Sequence, residues 1–244
     1  MPYVNAFAVG CDPEFFALHR ANGTIKNVAG DLAEHGAVGY DHGGDVLELR
    51  PLQARSTRTL ARRMARLIFH DRGLAALRDY KWRAGAAMRH RTIGGHVHLD
   101  LEGRQPAITR ALDEVLGMCE RLELLPRAEN ELRKAGPGGY GRPGDVRVVD
   151  GHYEYRAMPS WLYHPTNAMI CLTLGKLAGV DAAGVQRAAQ AAHSRAAVLA
   201  IFETFAHRDD DAARLVERGI APAFGASCDT DIREGWAAYA NIRA

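Results

Sequence analysis

Thr92-Ile-Gly-Gly-His-Val-His-Leu-Asp-Leu101 is the stretch on which the reading of this chain turns. Alternate residues of a β-strand point to opposite faces, so Val97 and Leu99 share one face while His96 and His98 share the other. Two histidines side by side on a strand face suit a metal more than they suit chance, although a plain surface pair is the bland alternative. Gly94 and Gly95 in front of them mark a place where another group approaches the backbone closely.

Three more segments repeat this polar-x-polar spacing: Asp12-Pro-Glu14, Glu48-Leu-Arg50 and Glu154-Tyr-Arg156. Outside the first, the intervening residue is apolar, and Leu47, Leu49, Val97, Leu99 and Tyr153 continue the alternation. Taken singly, each pair is better explained as the wet side of an amphipathic strand. The set is not, because an ordinary solvent face has no reason to gather His and carboxylates while omitting Lys, Ser and Thr. The pattern predicts a sheet packed on one face and lined with acids, imidazoles and guanidiniums on the other. Asp12, Glu14, Glu48 and Glu154 would then crowd together. At ~5 Å and an effective dielectric of ~20, each like-charge pair costs roughly 3 kcal/mol. Divalent cations relieve that repulsion, and an oxygen-rich set favours Mg²⁺ or Mn²⁺ over zinc. Arg50 and Arg156 either pair with the acids or clamp a phosphate. Acids for a divalent cation beside arginines for phosphate is the arrangement phosphoryl transfer requires.

Outward from these segments, Asn22-Gly23 between apolar runs signals a hairpin, with strands over residues 7–10, 15–19 and 25–28 and a ladder broken by Pro13. Residues 46–51 form another strand. Ser56 or Thr57 caps a helix to about residue 72, and Pro106 opens a second helix that stops at Pro126. The Gly- and Pro-rich residues 135–144 form a loop, either a plain surface loop or a lid. Asp150-Gly151 turns a hairpin between residues 146–149 and 152–157. Beyond Pro165 the chain reads as helices over residues 167–178, 182–205, 210–218 and 232–240. Strands early and helices late predict an α+β fold with a largely antiparallel sheet.

The chain has 244 residues, 47% of them hydrophobic and 25% charged, which suffices for a large core without staples. A net charge of +2 gives no field for nucleic acid or an anionic membrane. Arg58, Arg62, Arg63 and Arg66 read as the solvated face of a helix. Four widely spaced cysteines argue for reduced thiols and a cytoplasmic setting, and no signal peptide or membrane-spanning run is visible. His19, His35, His42, His70 and His90 lack a partner at ligand spacing, and His164 before Pro165 reads as structural.

Gly10-Cys-Asp-Pro-Glu-Phe-Phe16, Glu48-Leu-Arg-Pro51, Gly94-Gly-His-Val-His98, Tyr140-Gly-Arg142, Glu154-Tyr-Arg156 and Pro159-Ser-Trp161 follow one another in an order that resembles the phage-type COOH-NH2 ligases of type 2. These phiEco32-like amidoligases belong to the glutamine synthetase and glutamate–cysteine ligase superfamily. The resemblance covers about residues 8–165. It implies a curved, mainly antiparallel β-sheet funnel with helices on its outer face, like the glutamine synthetase catalytic domain, in a single domain over residues 1–244. It implies ATP-dependent joining of a carboxylate to an amine through an acyl phosphate, with Mg²⁺ or Mn²⁺ as cofactor and small-molecule or peptide substrates. Glu14, Glu48 and Glu154 become the metal ligands with Asp12 in support. His96 goes to a metal or the nucleotide phosphates, with His98 beside it. Arg50 and Arg156 hold phosphate or the substrate carboxylate, Arg142 completes a phosphate clamp, and Asp41 is a candidate for amine deprotonation. The chain lacks a Walker-type phosphate loop and a dinucleotide fingerprint, so nucleotide would bind through metals. Whether a second subunit completes the site stays open. Two rival readings are a metal-dependent hydrolase, which leaves the arginines unexplained, and a non-enzymatic phage structural or binding protein.

Overall fold

The computed structural model describes residues 7–32, 36–103 and 105–240, apart from the side chain of Val149; His35 lies outside them. Its strands are β1 (Val9–Leu18), β2 (Val38–Asp41), β3 (Val46–Leu49), β4 (Lys81–Arg83), β5 (Ala87–Met88), β6 (Arg91–Thr92), β7 (Gly95–Glu102), β8 (Val146–Val149) and β9 (His152–Tyr155). The helices are α1 (Thr57–His70), α2 (Arg72–Ala75), α3 (Pro106–Arg121), α4 (Arg127–Ala135), α5 (Pro165–Val180), α6 (Ala182–Ala191), α7 (Arg195–Phe205), α8 (Asp210–Arg218) and α9 (Ile232–Gly235). Seven strands form one sheet in the order β2-β3-β1-β7-β9-β8, with β4 pairing the end of β1. Every described pairing is antiparallel, so the fold is a mixture of helices and antiparallel sheet.

Where the strands depart from expectation, the hydrogen bonds say why. β1 is one strand rather than two, because Pro13 falls where the ladder with β7 ends and pairing with β3 begins; a lost N–H is tolerated there. The Asn22-Gly23 turn forms, with Gly23 at φ 65°, but residues 25–28 make a single bridge, Leu18 to Ile25, before Val28 turns to bond Gly44. The 92–101 strand is interrupted at Ile93 and Gly94, leaving β6 and β7. Pro126 does not only close α3; it stands at the N-cap of α4, one residue before the first helical position and without a side-chain cap bond. The expected 182–205 helix breaks at residues 192–194, where the Ser194 side chain accepts from Ala197 N and starts α7.

Phe15, Leu47, Leu49, Val97, Leu99, Tyr153 and Tyr155 project from one sheet face and are completely buried. The helices α1, α3 and α5 pack together beneath them. α5 is apolar on all sides, as a central helix must be. A Cβ on its Gly175 would lie 2.8 Å from Val97 Cγ1, so glycine is what lets the helix approach β7. Polar ties fix the layers: Tyr155 OH donates to Asp113 on α3 at 2.9 Å, and Tyr153 OH meets Thr109 at 3.1 Å. Lys176, fully buried in α5, pairs with Asp209 and Asp211 at 2.5 Å each. Asp211 also accepts from Thr57 N and Ser56 Oγ at the start of α1, both at 2.8 Å. That network joins the C-terminal helices to the layer under the sheet.

Candidate active site

The register of the strands assembles the opposite face. Asp12 stands across from His96, His98 from Glu154, Glu154 from Arg147, and Glu14 from Glu48. Residues at spacing two share a face, so four distant segments deliver their polar pairs to one surface. The two glycines ahead of His96 serve side-chain approach: a Cβ on Gly94 would sit 2.6 Å from Arg133, and one on Gly95 2.6 Å from Trp161 Nε1.

Four buried atoms converge at the centre. Asp12 Oδ1 lies 3.0 Å from His96 Nδ1 and 3.0 Å from His98 Nε2, while Glu154 Oε1 is 3.3 Å from His96 Nδ1. None of the four has an aligned hydrogen-bond partner. Ligand atoms about 2.1 Å from an octahedrally bound ion are neighbours at about 3 Å, so these spacings fit a divalent cation that would replace the protons now shared between the imidazoles and the carboxylates. Asp12, His98 and Glu154 offer ligand atoms within 4.8 Å of one another; among the described residues Glu129, Cys228 and Asp229 do so too. The carboxylates suit Mg²⁺ or Mn²⁺ and the imidazoles suit transition ions, so the mixed donor set fits Mn²⁺ better than Mg²⁺.

The flanking groups carry strained electrostatics. Burial works against ionised Asp12, but His96 and His98 outweigh it and hold its carboxyl well below the usual range. Burial raises Glu14, whose Oε2 accepts from Gly94 N at 2.6 Å. Burial and the neighbouring Asp12 charge push Glu48 up to about 8, despite Arg50. Burial would lower His96, but Asp12, Glu14 and Glu154 overcome it and favour the imidazolium. Acids and bases are crowded together here, and Arg50, Arg147 and Arg156 already pair with Glu48 and Glu154.

Arg50 Nε donates to Glu48 Oε2 at 2.6 Å, while Glu48 also lies against Asp12 at the edge of the cluster, and His98 stands beside Asp12 and Glu154. Arg156 Nε lies 3.4 Å from Glu154 Oε1. A cavity of about 160 Å³ opens beside the cluster, lined by Glu14, Asp41, His42, Thr92, Ile93, His96, Arg133, Tyr140 and Arg156. Arg142 is not brought in: it is exposed and its Nε donates to the Lys134 carbonyl at 3.2 Å. Tyr140 is the residue of the Gly-rich loop that reaches the cavity. A larger hollow of about 650 Å³ near Glu129 and Cys228 holds none of the expected residues. Its acid Glu129 pairs with Arg83.

Two functional side chains escaped the sequence reading. Arg147 pairs with Glu154 Oε2 at 2.6 Å, and the Val-Arg-Val alternation of β8 was the available signal. Arg133 reaches the cavity from α4, and nothing in its sequence neighbourhood distinguishes it from a surface helix. His42, set aside earlier, lines the cavity, whereas His164 caps α5 by accepting from Thr166 N.

The chain is an antiparallel sheet with helices packed on one face and this polar cluster on the other. It superposes on a bifunctional glutathione synthetase from Pasteurella multocida with a TM-score of 0.54 at 8% identity, covering 98% of this chain and 52% of that one. It also superposes on the complex between the prokaryotic ubiquitin-like protein Pup and its ligase PafA, with a TM-score of 0.59 at 8% identity over 97% of this chain and 65% of that one. The chain thus spans about half to two-thirds of the length of these structures. A search of curated sequences finds no match. The family model of the phage phiEco32-like COOH-NH2 ligases, type 2, matches residues 9–211, and the chain belongs to that family of carboxylate–amine ligases. No helix among the described residues is long and apolar enough to cross a membrane.

Proposed function

We propose that this chain is an ATP- and Mg²⁺-dependent (or Mn²⁺-dependent) ligase that forms an amide through an acyl phosphate. The γ-phosphate passes to a substrate carboxylate, an amine attacks the acyl carbon, and inorganic phosphate leaves. The sheet is read as the curved funnel of the glutamine synthetase type, forming one domain with its helices in a cytoplasmic protein. The observation that supports the reading is the convergence of Asp12, His96, His98 and Glu154, whose buried Oδ1, Nδ1, Nε2 and Oε1 atoms lie 3.0 to 3.3 Å apart in succession.

Those four residues would hold the cation, with Glu14 and Glu48 adding charge around it. When bound, the cation neutralises phosphate charge and supports phosphoryl transfer. Arg50 and Arg156 bind and orient anionic oxygens. Asp41, at the cavity wall, takes the proton of the attacking amine. The loop over residues 136–144, with Tyr140 at the cavity, excludes water from the hydrolysable acyl phosphate. Arginines on the same face as the acids favour this reading over a simple metal hydrolase.

Calorimetry with Mg²⁺-ATP tests it. Wild type binds; Glu154→Gln and His98→Gln lose at least about tenfold in affinity, the scale of one removed charge-assisted contact. Unchanged binding in both variants would remove the cluster from the nucleotide site.

A further inference from the structure

A second cavity, of about 270 Å³, opens where α8 and α9 meet the start of α5. Most of its lining residues lie beyond residue 211, where the family match ends. Met169, Leu215 and Pro222 give it apolar walls, Arg214, Arg218 and Tyr239 stand beside them, and no lining residue is acidic. The Tyr239 hydroxyl donates only to Met169 Sδ at 3.7 Å, a weak acceptor that an anion would displace.

Helix α1 brings two more arginines to the same place. Asp211, in the first turn of α8, accepts from Thr57 N at 2.8 Å and Arg58 N at 3.3 Å, which sets the start of α1 against the start of α8. A spacing of four puts Arg58 and Arg62 on one face of α1, and Arg214 and Arg218 on one face of α8. Burial lowers Arg58, and the charges of Arg62, Arg214 and Arg218 lower it further, so the four guanidiniums feel one another. Among the described residues none of the four makes an ion pair, not even with Asp210 or Glu217 of α8. Like charges at this spacing cost stability, and an anion relieves them.

We propose that this cavity binds a phosphate monoester carrying a compact apolar body. The proposal uses no residue of the ligase site and stands apart from that reading. Charge selects the head group. A dianion suits four arginines without acids better than a monoanion does, and the guanidinium fork matches phosphate oxygens. Size selects the body. An apolar cavity of about 150 Å³ accepts a benzene ring. About 270 Å³ therefore holds a ring-sized body against Met169 and Leu215 with the phosphate at the arginines, and falls short of the ~300 Å³ at which sites for larger ligands begin. The apolar walls set the site apart from a bare cationic face, which holds a nucleic-acid backbone without any cavity.

Titration calorimetry with phenyl phosphate tests it, with inorganic phosphate and benzyl alcohol as the two halves of the probe. Phenyl phosphate should bind at least about tenfold tighter than either half, and Arg214→Gln and Arg218→Gln should each weaken it about tenfold. Ala238→Trp fills the cavity from an exposed position, leaves the arginines in place and should abolish binding. Arg110→Gln, on the exposed face of α3, should change nothing. No binding of phenyl phosphate at about 10 mM would overturn the proposal. So would inorganic phosphate binding as tightly as phenyl phosphate, because only a charge would then be recognised. A single-stranded oligonucleotide that binds through Arg58 and Arg62 while phenyl phosphate does not would replace the pocket with a nucleic-acid face.

Discussion

Glu48→Gln, examined in the absence of divalent cations, tests the crowding of acids. Glu48 is 7% exposed and its carboxyl is raised from 4.5 to about 8, first by burial and then by Asp12. A carboxyl whose folded value is raised favours folding fully at pH below 4.5 and opposes it progressively as pH climbs toward 8. At pH 7 the penalty is about 3 kcal/mol, at about 1.36 kcal/mol per unit of pH above the ordinary value. Glutamine carries no charge and escapes it. The pull of Arg50 is already contained in the raised value, and a glutamine amide oxygen can still accept from Arg50, so little is returned. Urea unfolding followed by circular dichroism in EDTA should find Glu48→Gln about 3 kcal/mol more stable than wild type at pH 7. Near pH 4.5 it should be equal or slightly less stable. Added Mg²⁺ should recover the difference in the wild type. A stability difference that is the same at both pH values would refute the reasoning, because Glu48 would then not feel burial and Asp12.

Asp211→Asn leaves Lys176 with half its pairing and removes acceptors at the start of α1; it should destabilise by about 2–4 kcal/mol at pH 7 in urea unfolding. Burial alone would raise Asp211, but Lys176 and the bonds from Thr57 and Ser56 hold it below 3.8, so its contribution is present above that value and disappears as pH falls through the folded one. Gly95→Ala would set a methyl 2.6 Å from Trp161 Nε1 and 2.9 Å from the Pro159 carbonyl. Overpacking of that kind should lower stability by about 1–3 kcal/mol, read as a reduced melting temperature.

Much of the polar face was legible because strand geometry is a strict rule. A spacing of two fixes the face, so Asp12, His96, His98 and Glu154 could be expected together before any coordinates, although not which strand stood beside which. Antiparallel register then set the details: His98 came to face Glu154, and Glu48 came to face Glu14. Such detail depends on pairing partners far away in sequence. Arg133 was invisible for a related reason. On α4 it looks like any exposed helical arginine, and only packing against the carbonyls of residues 156–158 makes it a cavity wall. The helix boundaries that shifted, at Pro126 and Ser194, involve capping residues whose meaning depends on which side of them the helix forms.

The most direct test of a cation-built ligase site is to incubate the protein with ATP, Mg²⁺ and paired panels of carboxylates and amines, and to measure ADP and new amide mass in one sample. Equal amounts of ADP and amide are expected, both abolished by EDTA and by Glu154→Gln. Amide formed without ATP, or nucleotide turnover that Glu154→Gln leaves intact, would contradict it.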